Sequence, residues 1–283
     1  MAGDRLIVGY DGGPTGADAL TFGRRWGSAA GTTPVVVTVH PGQTPLGPGR
    51  TDAEWNAYQR EEAEALLAEA RALLGDGAEY RSVDASSPAH GLSDLVEAGD
   101  CVLVLGARRA RGLRRTYPGS TAERLLHGSA SPVTIVPSDY AERENTGLRR
   151  VTVAYLDTPD GQAALSAGAR FARQLGADLE VLTVVPDTRR HAGEPSRFGA
   201  EQRADYQQAL DRAVTSVDGV PTTGRLVEGP VVDTLVDIDD RQTDLLVCGS
   251  RDYGPVARVL LGGVSDRVVR HSRVPVTVVP RSH

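Results

Sequence analysis

The sequence predicts an α/β fold made of two repeated, doubly wound, parallel five-stranded sheets of the Rossmann-like type. Short apolar runs alternate with segments that have the composition of helices, which is the pattern of a parallel sheet with helical crossovers. The runs are apolar at every position, as expected for strands that are covered on both faces. The whole pattern occurs twice in 283 residues, a length that accommodates two domains.

The repeat is recognisable from short blocks of similar sequence. Ser131–Pro137 reads SPVTIVP, and Val274–Pro280 reads VPVTVVP. Near the start of each half, Thr38–Pro41 (TVHP) has its counterpart in Thr183–Pro186 (TVVP). Because a repeat of this length determines the architecture, we predict two similar domains, 1–140 and 147–283.

Each element of the first half has a local reason. The strands are runs of Val, Ile and Leu, which have high β-propensity, although the third run is weaker. The first helix stops at Gly31, and the second is rich in Ala, Leu and Glu and stops at Gly75. The third helix begins at Pro88, after the capping candidates Ser86 and Ser87. The predicted order is strand Leu6–Tyr10, helix Gly16–Ala30, strand Val35–Val39, helix Asp52–Leu74, strand Tyr80–Val83, helix Pro88–Ala98, strand Cys101–Leu105, helix Ser120–His127 and strand Val133–Val136.

The second half repeats this order. Its strands are predicted at Val151–Tyr155, Leu179–Val184, Thr223–Val227, Leu245–Cys248 and Val276–Val279. We expect the last strands of the two halves to pair within the chain as an intramolecular pseudo-dimer, because an exposed apolar edge strand invites aggregation. Whether two chains then form a homodimer stays open.

Composition excludes several classes of function. All 31 basic residues are Arg, so the chain has no lysine for a Walker A phosphate loop or a Schiff base. The net charge of −6 gives no positive field for nucleic-acid binding. No apolar run approaches the ~20 residues of a membrane-spanning helix. Two cysteines, Cys101 and Cys248, and an N-terminus without the pattern of a secretion signal make the cytoplasm the expected location.

Candidate site residues follow the strands. Ligands of doubly wound sheets bind outside the carboxyl ends of the strands, where the strand order reverses. Asp11–Gly13 follows the first strand, Gly106 follows the fourth, and Gly119–Thr121 opens the last helix of this half. Glycine lets the backbone approach an anion closely. The arginine-rich run 108–115 between these segments fits a phosphate clamp, an acidic partner or an ordinary solvated loop.

These residues resemble those of the universal stress protein family, and the chain is similar to a tandem member with two UspA-type domains. The resemblance covers almost the whole chain. It rests on VGYDGGP at the first strand, the glycine spacing after the fourth, and the closing Pro-Val-Thr-x-Val-Pro. It implies ATP as the ligand, held by the motif G-x2-G-x9-G-[S/T]. In the first domain it implies a nucleotide site formed by Asp11, Gly12, Gly13, Val39, Gly106, Arg109, Gly119, Ser120 and Thr121.

Both halves depart from this motif at its second glycine. Arg109 takes that place in the first half and supplies a positive, bidentate donor, whereas Asp252 takes it in the second half and repels phosphate. Leu156 replaces the aspartate after the first strand. We therefore expect an adenine nucleotide or another anion in the first domain only. The second site is expected to be degenerate, with the corresponding residues Asp157, Val184, Gly249, Ser250, Gly262, Gly263 and Ser265.

Three functions remain open on this reading. The first is a stress-response protein that acts by binding, with a nucleotide in the first domain. The second is an interaction or scaffold protein of the same fold without a nucleotide. The third, an ATP hydrolase, has only the fold in its favour. The sequence has no GxSxG motif and no spacing typical of zinc ligands, so we expect no catalytic residues and no metal.

Overall fold

The computed structural model describes residues 5–41, 53–96, 101–109, 116–144, 147–186, 197–250, 259 and 262–280. The chain divides into two compact units, Met1–Asn145 and Thr146–His283. We call these units the first and the second domain.

The first domain is built on a parallel sheet. Within its described residues the strand order is β3–β2–β1–β4–β7, so the order reverses between β1 and β4. That reversal places a ligand-binding crevice at the carboxyl ends of β1 and β4. The strands are β1 Arg5–Gly9, β2 Val35–Pro41, β3 Glu79–Ala85, β4 Cys101–Gly106 and β7 Val133–Val136, and the short strands β5 Arg108–Arg109 and β6 Thr116–Tyr117 form a separate antiparallel pair.

Four helices connect the strands of the first domain in the described part of the chain. They are α1 Gly13–Ala30, α2 Ala53–Leu74, α3 Pro88–Asp94 and α4 Ser120–Leu126. Pro14 lies in the first turn of α1, and Gly31 ends the helix in the left-handed conformation. The side chain of Ser87 accepts a hydrogen bond from the His90 N–H and caps α3.

An aromatic cluster fills the core of the first domain beside α1. Phe22 and Trp26 are fully buried, and their ring centroids lie 5.9 Å apart. Tyr140, which follows β7, packs 6.0 Å from Phe22 and lies under the guanidinium of Arg25 at 4.6 Å. The segment after the last strand is therefore packed against the first helix.

Asp18 fixes the same segment to α1. Its carboxylate is buried and accepts hydrogen bonds from the backbone N–H of Asp139 at 3.1 Å and of Ala141 at 2.7 Å. Burial raises the pKa of Asp18, and the two backbone N–H groups oppose this shift. Asp139 itself has a positive φ of 64°, a conformation that the clamp holds in place.

The second domain repeats the same topology. Its described strands are ordered β10–β9–β8–β11–β12, so the order again reverses between the first and fourth strands of the domain. Thr158 caps α5 by accepting the Gly161 N–H, and Gly176 ends that helix in the left-handed conformation. The elements are β8 Arg150–Ala154, α5 Pro159–Leu175, β9 Asp178–Val185, α6 Arg197–Thr215, β10 Thr222–Glu228, α7 Val231–Val236, β11 Leu245–Gly249, α8 Gly263–His271 and β12 Val276–Val279.

The predicted α/β fold with two doubly wound parallel sheets is confirmed, and several elements differ in detail. Helix α1 begins at Gly13 rather than Gly16, because Pro14 is compatible with a first helical turn. Helix α3 ends at Asp94 and does not extend to Ala98. The pair β5–β6 was not predicted, since two-residue strands rich in Arg show no alternating pattern. The intramolecular pairing of the last strands stays a prediction.

The surface of α2 carries an exposed aromatic pair. Trp55 and Tyr58 are 57% and 50% exposed, and their rings stack with centroids 5.8 Å apart. The Tyr58 hydroxyl donates to Glu62 at 2.7 Å. Among the helices that the structure describes, none is both long and apolar enough to cross a membrane.

Candidate functional site

The first domain has a cavity of about 160 Å³ at the reversal of its strand order. It opens at the carboxyl ends of β1, β2 and β4 and is closed from the sides by α1, α2, α3 and the start of α4. Six of the nine predicted site residues line it: Asp11, Val39, Gly106, Gly119, Ser120 and Thr121.

The floor of the cavity depends on a glycine. A Cβ on Gly106 would lie 2.8 Å from the carbonyl carbon of Thr15 and would overlap its oxygen. The last residue of β4 and the first turn of α1 are therefore in contact backbone to backbone. Gly106 is also among the residues that line the cavity.

Two further predicted glycines shape the turn beside the cavity and do not belong to its lining. Gly12 has φ 82° and ψ 177°, a conformation that only glycine adopts readily. Gly13 follows with φ 66° and begins α1. Together they reverse the chain between β1 and α1, which places Asp11 at the mouth of the cavity.

One wall of the cavity is apolar. Val39 from β2, Leu66 from α2 and Leu92 from α3 line it. The sequence analysis did not identify Leu66 or Leu92, because the helix face that meets the strand ends is decided by tertiary packing. An apolar slot of this kind accommodates a flat aromatic group such as a nucleobase.

The cavity is also lined by polar and charged residues. Asp11, Thr15, Arg108, Ser120 and Thr121 line it. Nη2 of Arg108 lies 3.9 Å from Oδ2 of Asp11, and both side chains are highly exposed, 71% and 70%. An ion pair with this exposure contributes little to stability. Its members are therefore available to a ligand.

Arg108 is the arginine among the described lining residues, and the prediction for Arg109 stays a prediction. Arg109 lies on β5, where its backbone pairs with Thr116, and its side chain is outside the described residues. Residues 110–115, which contain the other predicted arginines of this run, are also outside them. The hairpin between β5 and β6 aligns Arg108 with Tyr117. It thereby directs the start of the run towards the cavity.

Tyr10 connects the site to α2. Its ring is buried beside the cavity, and its hydroxyl donates to Glu69 at 3.4 Å. Burial and the neighbouring Glu69 carboxylate raise the pKa of Tyr10. Thr38 donates to the Tyr10 carbonyl at 3.1 Å, which fixes the end of β1 against β2.

The same backbone contact identifies the equivalent position in the second domain. Thr183 donates to the Tyr155 carbonyl at 3.2 Å, as Thr38 does to Tyr10. Leu156 thus stands where the first domain has Asp11, and it is 46% exposed. Asp157 stands one residue further on, in the place of Gly12.

Asp157 is engaged by the protein itself. Its Oδ2 pairs with Nη2 of Arg212 at 3.1 Å, and its Oδ1 accepts from the Tyr155 hydroxyl at 3.2 Å and from Nε2 of Gln162 at 3.1 Å. These donors lower the pKa of Asp157, with Gln162 the largest cause. Burial and the Asp157 charge raise the pKa of Tyr155 to about 12. This network joins the end of β8 to α6.

The other predicted residues of the second site lie on several elements of the second domain. Asp157 lines a cavity of about 360 Å³ together with residues of α6. The backbone N–H of Ser250 donates to Val279 at 3.0 Å, and the residue is buried. Ser265 bonds to both backbone groups of Gly262 inside the first turn of α8. Val184 is buried in β9, Gly249 ends β11, Gly263 opens α8, and Asp252 lies outside the described residues.

The second domain keeps the glycine at the end of its fourth strand. A Cβ on Gly249 would lie 2.8 Å from the carbonyl carbon of Asp160, as one on Gly106 would from Thr15. The backbone contact between fourth strand and first helix is thus present in both domains. Within the described residues, no three His, Cys, Asp or Glu side chains are close enough to hold a metal ion.

Comparisons with known proteins agree with this repeated fold. A model of the universal stress protein family matches residues 3–137 and again residues 147–280. A universal stress protein of Mycobacterium tuberculosis is 31% identical over 298 aligned residues, which cover 97% of this chain and 99% of the relative. One from Mycobacterium bovis is 25% identical over 288 residues, covering 98% and 97%.

Solved structures show the same architecture. The crystal structure of a universal stress protein from Archaeoglobus fulgidus superposes with a TM-score of 0.69 at 21% identity and covers 98% of both chains. A putative universal stress protein from Pseudomonas aeruginosa gives a TM-score of 0.61 at 14% identity, covering 98% of this chain and 94% of its own. At these identities the two structures support the fold alone.

Proposed function

The chain belongs to the universal stress protein family, and we propose that its first domain binds an adenine nucleotide and acts by binding rather than by catalysis. One observation carries this proposal. The cavity at the strand reversal is lined by apolar side chains, by Gly106 and by polar and charged side chains. This combination suits a ligand with a flat base at one end and an anion at the other.

The lining residues divide between the parts of such a ligand. The slot formed by Val39, Leu66 and Leu92 fits the base. Asp11 is placed to accept hydrogen bonds from ribose hydroxyls, since an ionised carboxylate only accepts. The hydroxyls of Ser120 and Thr121 are donors for the phosphates. Because the chain has no lysine, positive charge at the phosphates has to come from arginine.

For the second domain we propose a role without a nucleotide. Leu156 offers no acceptor for a ribose, and Asp157 is already bound by Arg212, Tyr155 and Gln162. A phosphate near Asp157 would also meet a negative charge. This domain is better suited to interaction with a partner or to support of the first domain.

Isothermal titration calorimetry with AMP, ADP and ATP tests both proposals. We expect one site per chain and about tenfold weaker binding for Asp11→Ala, which loses the charge-assisted hydrogen bonds to the ribose. Leu156→Ala at the equivalent position of the second domain is the matched control and is expected to leave binding unchanged. In a thermal scan, ligand at 100 times its Kd should add about 2.7 kcal/mol to the free energy of unfolding of the first domain.

The outcomes separate the candidate functions. Two sites per chain would contradict the proposal for the second domain. Absence of binding and of any thermal shift would contradict the nucleotide proposal and favour an interaction or scaffold role for both domains. If the protein steadily releases phosphate from ATP and Asp11→Ala abolishes this release, the result would favour a hydrolase.

We also propose the finer organisation that the sequence indicates. The domains extend over 1–140 and 147–283, and the protein functions in the cytoplasm. Both cysteines are buried and neither forms a disulfide, which is compatible with a reducing compartment. A homodimer stays the alternative to the monomer, and analytical ultracentrifugation distinguishes the two.

A further inference from the structure

The cavity of the first domain contains one pair of opposite charges at its mouth. Asp11 and Arg108 are the charged residues among those described as lining it, and they face each other at 3.9 Å. The Nε of Arg108 also lies 4.0 Å from the position that a Cβ on Gly119 would take. The guanidinium therefore lies between Asp11 and the residues that open α4.

This position determines which part of a nucleotide the arginine can reach. If Asp11 accepts the ribose hydroxyls, a cation within 4 Å of its carboxylate is next to the ribose. The phosphate that is attached directly to the ribose is then the anion within reach. An arginine binds phosphate through a planar fork of N–H donors, which is stronger and more directional than a contact between exposed side chains.

We propose that Arg108 binds the phosphate nearest the ribose and thereby makes the site selective for nucleotides over nucleosides. This inference rests on the proposed nucleotide site. Binding exchanges partners: Arg108 leaves Asp11 for the phosphate, and Asp11 turns to the ribose. The ion pair is the resting arrangement of the two groups. Because it is highly exposed, its loss costs little and the exchange is favourable.

The second domain lacks the carboxylate that this exchange of partners requires. Leu156 takes the place of Asp11, so no carboxylate at that position can hold an arginine next to a ribose site. Asp157, one residue further on, holds Arg212 of α6 instead. The exchange of partners is thus a property of the first domain.

Titration of four ligands against the full-length chain tests the proposal. Adenosine, AMP, ADP and ATP are compared for the parent protein and for Arg108→Gln. We expect Arg108→Gln to raise the Kd of all three nucleotides by about tenfold, the loss of one charge-assisted contact, and to leave the Kd of adenosine within about twofold. Arg108→Lys keeps the positive charge but lacks the planar set of N–H donors of the guanidinium, so it should give an intermediate Kd for AMP.

Arg124→Gln is the matched control, because Arg124 is an exposed arginine of α4 that does not line the cavity. It should change none of the four values. Both arginines are exposed, so neither variant should alter the thermal midpoint of the free protein.

Each other outcome overturns a specific statement. If adenosine and AMP weaken equally in Arg108→Gln, the arginine does not discriminate by phosphate and the inference is wrong. If ATP weakens while AMP does not, Arg108 binds an outer phosphate, which also contradicts it. If the parent protein binds none of the four ligands, the proposed function fails and this inference fails with it.

Discussion

After the first strand, the two domains share a backbone hydrogen bond but carry different side chains. In both domains, a threonine of the second strand donates a hydrogen bond to the carbonyl of the tyrosine that follows the first strand. Thr38 donates to Tyr10, and Thr183 donates to Tyr155. The next side chain is Asp11 in one domain and an exposed leucine in the other. The fold is therefore the same in both halves of the repeat while the side chains at the proposed ligand site differ, and a shared fold does not imply a shared function.

The comparison also changes how the glycine signal is interpreted. Gly106 and Gly249 both touch the backbone of the first helix of their domain, at Thr15 and Asp160. Both glycines are thus needed for packing, whether or not a ligand is present. A glycine at the end of the fourth strand is therefore evidence for the close contact between this strand and the first helix. It is evidence for a phosphate site only when the neighbouring residues also fit one.

The largest effect is expected from filling these two contacts. Gly106→Ala and Gly249→Ala each place a methyl group against a backbone carbonyl that cannot rotate away, so each should lower the free energy of unfolding of its domain by about 3 kcal/mol. Differential scanning calorimetry measures the loss. If the first domain alone binds a nucleotide, only Gly106→Ala also abolishes the thermal shift produced by AMP.

Gly77→Ala is the control, because a Cβ at Gly77 would have nothing within 4 Å. We expect its thermal midpoint to equal that of the parent. Equal stability of Gly106→Ala and Gly77→Ala would show that the strand and helix separate easily, contrary to the packing described above.

A somewhat smaller effect is expected at the clamp on α1. Asp18 accepts two backbone N–H groups of the segment after β7, whereas the equivalent residue in α5 is Ala163. Asp18→Ala leaves two partly buried donors without their acceptor and should destabilise the first domain by about 2 kcal/mol. Amide hydrogen exchange at Asp139 and Ala141 should accelerate.

Glu142→Ala removes an exposed carboxylate from the same segment and serves as the control for charge. It should change neither the stability nor the exchange rates. Slow exchange at Asp139 and Ala141 in Asp18→Ala would mean that the aromatic packing of Tyr140, and not the carboxylate, holds the segment.

The smallest effect is expected at high pH in the second domain. Tyr155 has a folded pKa of about 12, against about 10 for tyrosine in an unfolded chain. The folded state then binds the proton more tightly, so this contribution to stability is complete below pH 10 and is lost as the pH rises towards 12. Tyr155→Phe should remove this part of the alkaline loss of stability.

Ultraviolet titration at the phenolate band of the folded protein measures the ionisation directly. One tyrosine of the parent should titrate near pH 12, and this step should be missing in Tyr155→Phe. If all tyrosines titrate near pH 10, the hydroxyl is not held by Asp157 in the folded domain.

The sequence was sufficient for the fold because its strands are short, apolar and repeated. Val133–Val136 and Val276–Val279 were predicted with the bounds that the structure has. Asp11, Val39 and Gly106, which lie at or near the ends of three strands, were also predicted as site residues and line one cavity. Local sequence determines these positions, since the loops of a doubly wound sheet follow its strands directly.

The missed contributions come from residues far apart in the chain. Leu66 and Leu92 reach the cavity from two helices, and their apolar spacing does not distinguish a ligand wall from an ordinary core. The pair of Asp157 and Arg212 spans two elements whose register only the folded structure provides. Arg108 lines the cavity but was not among the predicted site residues, because a two-residue strand cannot be recognised from its sequence.

The position of the two tryptophans has a practical consequence for every experiment on this protein. Trp26 in the aromatic core and Trp55 on α2 both belong to the first domain, and the sequence contains no other tryptophan. Intrinsic indole fluorescence therefore reports on the first domain alone, with a buried and an exposed emitter that a quencher can separate. An unfolding step that appears in the heat capacity but leaves this emission unchanged belongs to the second domain.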